Sequence, residues 1–362
     1  MTVLVILTHT MMTYGGDGSW FYREVAMSRN PSSIFFTLFA LTMQSFLMGF
    51  YFLIAGHFTP SSIDRHGVKH FLGHRTIRLG VPVLIFGFIL GPFTVVLVDW
   101  ANSGNFQASL ISMWRQKRFI NGPTWFDEAL LIICFGYAVW RWIALRVLRH
   151  ARPEKHRLYH AVSTNTQWFF WAVGAGIVAF LLRLRFPVDR QNYGLWIGYF
   201  SSYLVLFAAG VVSWRGRWFI QLTWKQARPW VITTILVWPT LPIAYAWVRT
   251  RHQIPAFSGG YNWQALLYAF WEPFVAWGFI ATGIVVFRNW LNKPFALGQW
   301  MSRRAYATYI LHSPVLVAVC LLLRNWHAGP GLKCLVAAPI ACVATWLIAD
   351  PLVRIPRVRD FV

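Results

Sequence analysis

Apolar residues in this chain come in long blocks rather than in amphipathic stripes. Nine blocks reach spanning length, at about residues 33–56, 79–99, 125–145, 167–186, 194–213, 230–248, 264–287, 305–323 and 333–351. A helix needs roughly 20 apolar residues to cross a bilayer core of about 30 Å. Helices also satisfy every backbone amide and carbonyl internally, as a spanning segment must. A tenth block, "VLVILTHTMMTYGGDGSW" from Val3 to Trp20, opens the sequence. As a helix from Met1 to Tyr14 it reaches only about 21 Å at 1.5 Å per residue. The expectation is a first spanning helix that lacks its initial turns. The pattern therefore predicts an all-α fold: a polytopic helical membrane bundle of about ten transmembrane helices, the first truncated. No internal repeat and no soluble domain of useful size interrupts it, so 1–362 reads as a single integral-membrane domain. The longest outer segments, about 14–32, 100–124 and 249–263, are lids or binding loops at most. One of them holds "PAFSGGYNW", Gly- and aromatic-rich as a loop near a polar ligand is.

Composition agrees with the pattern. The chain is 57% hydrophobic and 12% charged, against about 25% charged in soluble domains, and its mean hydropathy is +0.47. A net charge of +22 first suggests nucleic acid, but the cations gather in short loops between apolar blocks, where they set orientation. One side collects Arg65, Lys69, Arg75 and Arg78, then Arg146, Arg149, Arg152, Lys155 and Arg157. It also holds Arg215, Arg217, Lys225, Arg228, Arg288, Lys293, Arg303, Arg304, Arg354, Arg357 and Arg359. The other side carries fewer, among them Arg115, Lys117 and Arg118. The positive-inside rule puts the richer side, with both termini, in the cytoplasm, and nucleic acid is not expected as a partner. The four cysteines (Cys134, Cys320, Cys334, Cys342) have no ligand-like spacing, so neither a metal nor a disulfide framework is expected. No cleavable signal peptide is evident, and 22 tryptophans suit interfacial belts.

Ionisable groups inside the bilayer are costly and mark candidate sites. Two histidines lie well inside spans, His9 and His312. Imidazole suits a general base because its pKa lies near working pH, although a neutral histidine bonded between helices is the simpler reading of His9. His312 is followed by Pro314, which breaks backbone bonding locally and makes a helix-kink partner of His312 the plainer alternative. Glu272 precedes Pro273 and needs a cation or donors, with a structural pair to an arginine such as Arg183 as the alternative. Asp127 and Glu128 begin the block at 125, where a helix dipole favours carboxylates. Asp350, beside Pro351 and Arg354, caps or pairs locally. In "FLGHRTIRLGVP", Arg75 and Arg78 are three apart and share a helix face. They are either ordinary loop charge or a fork for phosphate groups.

Four stretches, "LVILTHTMMTYGG", "FYFLIAGHFTP…FLGHRTIRLGVPVL", "GPTWFDEALLI" and "AYATYILHSPVLV", together resemble the acyltransferase 3 family of membrane-bound O-acyltransferases. That family includes glucan succinyltransferases and O-antigen acetyltransferases. Its first span carries an arginine eleven positions before a histidine. His9 matches the histidine, while the arginine would precede residue 1, which implies a chain lacking the cytoplasmic half of its first helix. The resemblance implies transfer of an acetyl or succinyl group from cytoplasmic acyl-CoA to a hydroxyl of an extracytoplasmic glycan, in a bacterial inner membrane. Acyl-CoA is then a donor substrate, with no bound cofactor, and the bilayer and the glycan are the other partners. On that reading His9 deprotonates the hydroxyl or carries the acyl group itself, and Arg75 and Arg78 hold the CoA phosphates. The span from the inner-edge arginine to His9, about 16 Å, is near the reach of a pantetheine arm. Glu128 and Glu272 orient His9 or hold the acceptor, and Tyr14, Trp125 and His312 are the candidates for substrate contact. Arg115, Lys117 and Arg118 hint at an anionic acceptor or acyl group. The alternatives are a secondary transporter or exporter of an organic anion or glycan, with Asp127, Glu128 and Glu272 as a proton relay, and a non-catalytic membrane scaffold.

Overall fold

The computed structural model describes residues 1–116, 119–147, 164–192, 194–359 and 361. Lys117, Arg118, Arg149, Arg152, Lys155 and Arg157 lie outside the described residues. Every long element is helical. In chain order these are α1 (Thr2–Thr13), α2 (Pro31–Arg75), α3 (Val81–Ile85), α4 (Gly91–Ser103) and α5 (Phe106–Gln116). Then come α6 (Trp125–Val147), α7 (Asn165–Arg183), α8 (Phe200–Gly216), α9 (Trp218–Gln221) and α10 (Trp224–Val237). The last are α11 (Thr240–Thr250), α12 (Trp263–Val286), α13 (Ala296–Ser302), α14 (Ala305–Leu322) and α15 (Pro330–Arg354).

Among the described residues, seven helical segments are long and apolar enough to cross a membrane. The protein is thus a multi-pass helical membrane protein. Its helices do not divide as the apolar blocks do. The blocks at 33–56 and 79–99 join into one helical run, Pro31–Ser103, broken at Gly67 (φ 80°, ψ 163°). Wide π turns at Thr76–Gly80 and Phe86–Leu90 flank α3 within it. The cation-rich stretch between the blocks, expected as a loop, is therefore mostly helix. α1 has 12 residues, about 18 Å at 1.5 Å per residue. α6, which carries Asp127, Glu128, Arg141 and Arg146, is not among the seven segments.

The chain forms two compact units. The first comprises residues 1–43, 74–131 and 294–362. Its core gathers Ile6 and Met11 of α1, Phe36 of α2, Leu316 and Cys320 of α14, and Trp346 of α15. Three side-chain hydroxyls within α1 are spent on its own backbone: Thr8 donates to the Leu4 carbonyl, Thr10 to Ile6 and Thr13 to His9. This makes a threonine-rich segment tolerable in an apolar setting. Lys333, at the start of α15, pairs with Glu24 and donates to the carbonyls of Leu323 and Arg324. Arg304 and Arg354 both pair with Asp350, the local pairing the sequence suggested. Beside α1, the side chains of Val3, Leu7 and Met11 line an apolar cavity of about 770 Å³ with Phe35, Phe36 and Leu335.

The second unit comprises residues 44–73 and 132–293. Capping boxes start two of its helices, Thr164 with Gln167 for α7 and Thr223 with Gln226 for α10. α2 and α8 meet backbone to backbone: a Cβ on Gly56 would strike the Phe207 carbonyl, and one on Gly210 the Leu53 carbonyl. His57 Nδ1 bonds Ser213 Oγ at 2.7 Å across this contact. The Gly-rich loop before α12 serves the fold. The carbonyl of Ser258 accepts from Val188 N–H at 2.9 Å, Gly260 N–H donates to the Arg183 carbonyl at 3.2 Å, and a Cβ on Gly259 would press on that carbonyl.

Candidate functional site

His9 and His312 are brought together in the first unit. His9 lies on α1, partly buried, and His312 on α14, fully buried. His9 Nδ1 and His312 Nε2 are 3.0 Å apart, and the rings are nearly coplanar, with an interplanar angle of 4°. An in-plane bond between ring nitrogens needs that arrangement. The other nitrogen of His312, Nδ1, meets the Tyr309 carbonyl. A carbonyl only accepts, so Nδ1 of His312 carries the proton. With neutral rings, His312 Nε2 is then an acceptor and His9 Nδ1 the donor. The lone pair of His9 Nε2 is left for chemistry. Pro314 has no amide for the Ile310 carbonyl, which loosens the turn in which His312 bonds back to Tyr309.

Trp20 covers one face of His9. Its ring stacks on His9 with centroids 3.8 Å apart and planes 11° from parallel. It also stacks at 5.9 Å over His312. Its indole N–H is buried with no partner among the described residues.

Three residues spaced by three, Tyr306, Tyr309 and His312, fall along one side of α14. The Tyr306 hydroxyl donates to the Arg78 carbonyl at 3.0 Å, and the Tyr309 hydroxyl donates to the carbonyl of Pro123. Six residues of helix separate the two ends of this row, about 9 Å. Arg75 and Arg78 both bear electrostatically on the Tyr306 hydroxyl. They do not sit on one face of a regular α-helix. Arg75 ends α2 and Arg78 lies in the π turn Thr76–Gly80, so the Arg78 backbone, not its guanidinium, meets Tyr306. The Arg78 side chain is exposed.

The remaining candidates are dispersed. Glu128 is half-buried and accepts from Asn121 Nδ2 at 3.2 Å. Trp125 is half-buried at the start of α6 and packs edge-on against Phe126. Tyr14 is fully buried beside Cys320 in the core of the first unit. Glu272 belongs to the second unit, where it is paired with Arg183. The arginine also donates to the Gly198 carbonyl at 3.1 Å and lies over the Tyr268 ring. This is the structural pairing the sequence offered as the alternative to a catalytic role.

Trp20 and the Tyr309 carbonyl are the features that sequence reasoning did not single out; Asp127 it named only as a first-turn carboxylate and a relay candidate. The burial of Asp127 was detectable by helical phase. Asp127 lies three residues before Leu130 and seven before Cys134, both buried, while its neighbour Glu128 points about 100° away. Trp20 and a backbone carbonyl carry no such signal.

Residues 1–354 match the family described as an acyltransferase domain. No curated protein and no solved structure matches the chain significantly.

Proposed function

Because the chain belongs to the acyltransferase 3 family, we propose that it moves an acetyl or succinyl group from cytoplasmic acyl-CoA to a hydroxyl of an extracytoplasmic glycan. His9 Nε2 is the general base. It takes the proton of the acceptor hydroxyl as the oxygen attacks the thioester carbonyl. The tetrahedral intermediate expels the CoA thiolate, which recovers a proton from the imidazolium. His312 is a positioning residue that fixes the tautomer of His9 and shares its charge once His9 is protonated. Arg75 and Arg78 would hold the donor phosphates by the charge-assisted bonds that guanidinium forms with phosphate. We further propose that the protein sits in a bacterial inner membrane with both termini cytoplasmic, as its loop cations suggest, and that 1–362 acts as one domain.

The observation that carries this reading is the order of bonds from the Tyr309 carbonyl through His312 to His9. It leaves the lone pair of His9 Nε2 outside that chain of bonds. The test is mass spectrometry of extracytoplasmic glycans from cells expressing the chain or its His9→Ala variant. An ester-linked acyl mass present with the chain and lost in the variant is the expected result, and it identifies the acyl group. Substrate movement without any covalent product, from a well-expressed chain, would replace this reading with transport.

A further inference from the structure

We propose that Asp127 is a donor-binding residue whose carboxylate accepts hydrogen bonds from the amide N–H groups of the pantetheine arm. The proposal rests on the acyl-CoA reading above and adds a contact to it.

Asp127 is completely buried, yet neither carboxylate oxygen has a hydrogen-bond partner among the described residues. A carboxylate withdrawn from water without partners is strongly disfavoured. Its position in the first turn of α6 offsets part of that cost through the helix dipole. The rest is left for a ligand. Protonated or ionised, the carboxyl group keeps acceptor capacity, so a ligand that brings N–H groups satisfies it. The Tyr306 hydroxyl stands within hydrogen-bond reach of Asp127, but its single proton goes to the Arg78 carbonyl. The guanidinium groups of Arg75 and Arg78 act on the same tyrosine, and such positive surroundings argue against a cationic ligand. Asp127 therefore lies near the arginine end of the Tyr306–Tyr309–His312 row. His9 lies at the other end, about 9 Å along the helix. A pantetheine arm bound by its phosphate end at the arginines and delivering its thioester to His9 passes its secondary amides through this interval. Neutral amides suit an acceptor that must not attract a cation.

The experiment uses the full chain, purified in detergent, as wild type and as Asp127→Leu, Asp127→Asn and Arg78→Ala. Thermal unfolding is followed alone, with CoA, and with pantetheine, which lacks the nucleotide. Donor and acceptor KM are measured for the same proteins. CoA and pantetheine should both raise the wild-type midpoint. Asp127→Leu should unfold at the same temperature as wild type or higher when unliganded, since an apolar side chain replaces a costly buried carboxyl. It should also lose the pantetheine shift and raise the donor KM about 10- to 100-fold, with the acceptor KM unchanged. Asp127→Asn, which keeps one acceptor oxygen, should fall between. Arg78→Ala should weaken the CoA shift and keep the pantetheine shift. Equal ligand shifts in wild type and Asp127→Leu would overturn the proposal, as would a lower unliganded midpoint with an unchanged donor KM. The absence of any CoA shift in wild type would instead remove the acyl-CoA reading, and this inference with it.

Discussion

A histidine in an apolar setting is a base only if its proton sits on the far nitrogen. Here that choice is made by a main-chain carbonyl acting through a second histidine. Three consequences follow for single residues. His9→Ala should reduce acyl transfer by at least about 100-fold, the usual scale for a general base, measured as ester formed per enzyme in membranes. His312→Ala should lower kcat and leave the donor KM unchanged. His312→Gln should recover part of the loss, because its amide can donate to the Tyr309 carbonyl and accept from His9. Equal kcat in wild type, His312→Ala and His312→Gln would sink the positioning role. Glu272 belongs to a different argument. Arg183 and Glu272 are both buried, so Arg183→Met alone should cost about 3–5 kcal/mol by stranding a charge. Arg183→Met combined with Glu272→Leu should restore much of that stability, read from denaturation in detergent. Both histidines were visible in the sequence because ionisable residues stand out in apolar blocks. Their bond was not, since 303 residues separate them along the chain.

At the scale of elements, the apolar blocks located most helices to within a few residues, because hydrophobic length is the dominant requirement of a spanning segment. What they missed is continuity. The stretch at 57–78 is polar enough to read as a loop, yet helix persists through it up to the break at Gly67 and resumes beyond. Helical hydrogen bonding needs no apolar side chains, so polarity alone does not end a helix. The π turn at Thr76–Gly80 was equally invisible, and it changes how Arg75 and Arg78 are presented. Close packing of α2 on α8 depends on residues without side chains at Gly56 and Gly210, the small-residue contact common between membrane helices. Gly56→Leu should separate this pair and destabilise the protein by about 1–3 kcal/mol, seen as a lower unfolding midpoint. An unchanged midpoint would mean that the helices have slack that the close approach does not suggest.

For the whole molecule, loop charge gives an orientation that labelling can test. In a cysteine-free background, Lys225→Cys should react with a membrane-impermeant maleimide only after the cytoplasmic side is opened. Tyr261→Cys, at a position 91% exposed, should react in intact cells. The reverse pattern would invert the protein and put the donor side outside. Composition and block length made the membrane class legible, since both are summed properties. The division into units was not, because it depends on which distant segments pack together. The unit that holds the histidine pair is built from three distant segments, residues 1–43, 74–131 and 294–362. That arrangement has a consequence in time. His9 leaves the ribosome 303 residues ahead of its partner, a delay of about 15–60 s at roughly 5–20 residues per second. Until His312 emerges, a nascent chain holds α1 without the histidine that pairs with His9, and chains that stop before it stay in that condition.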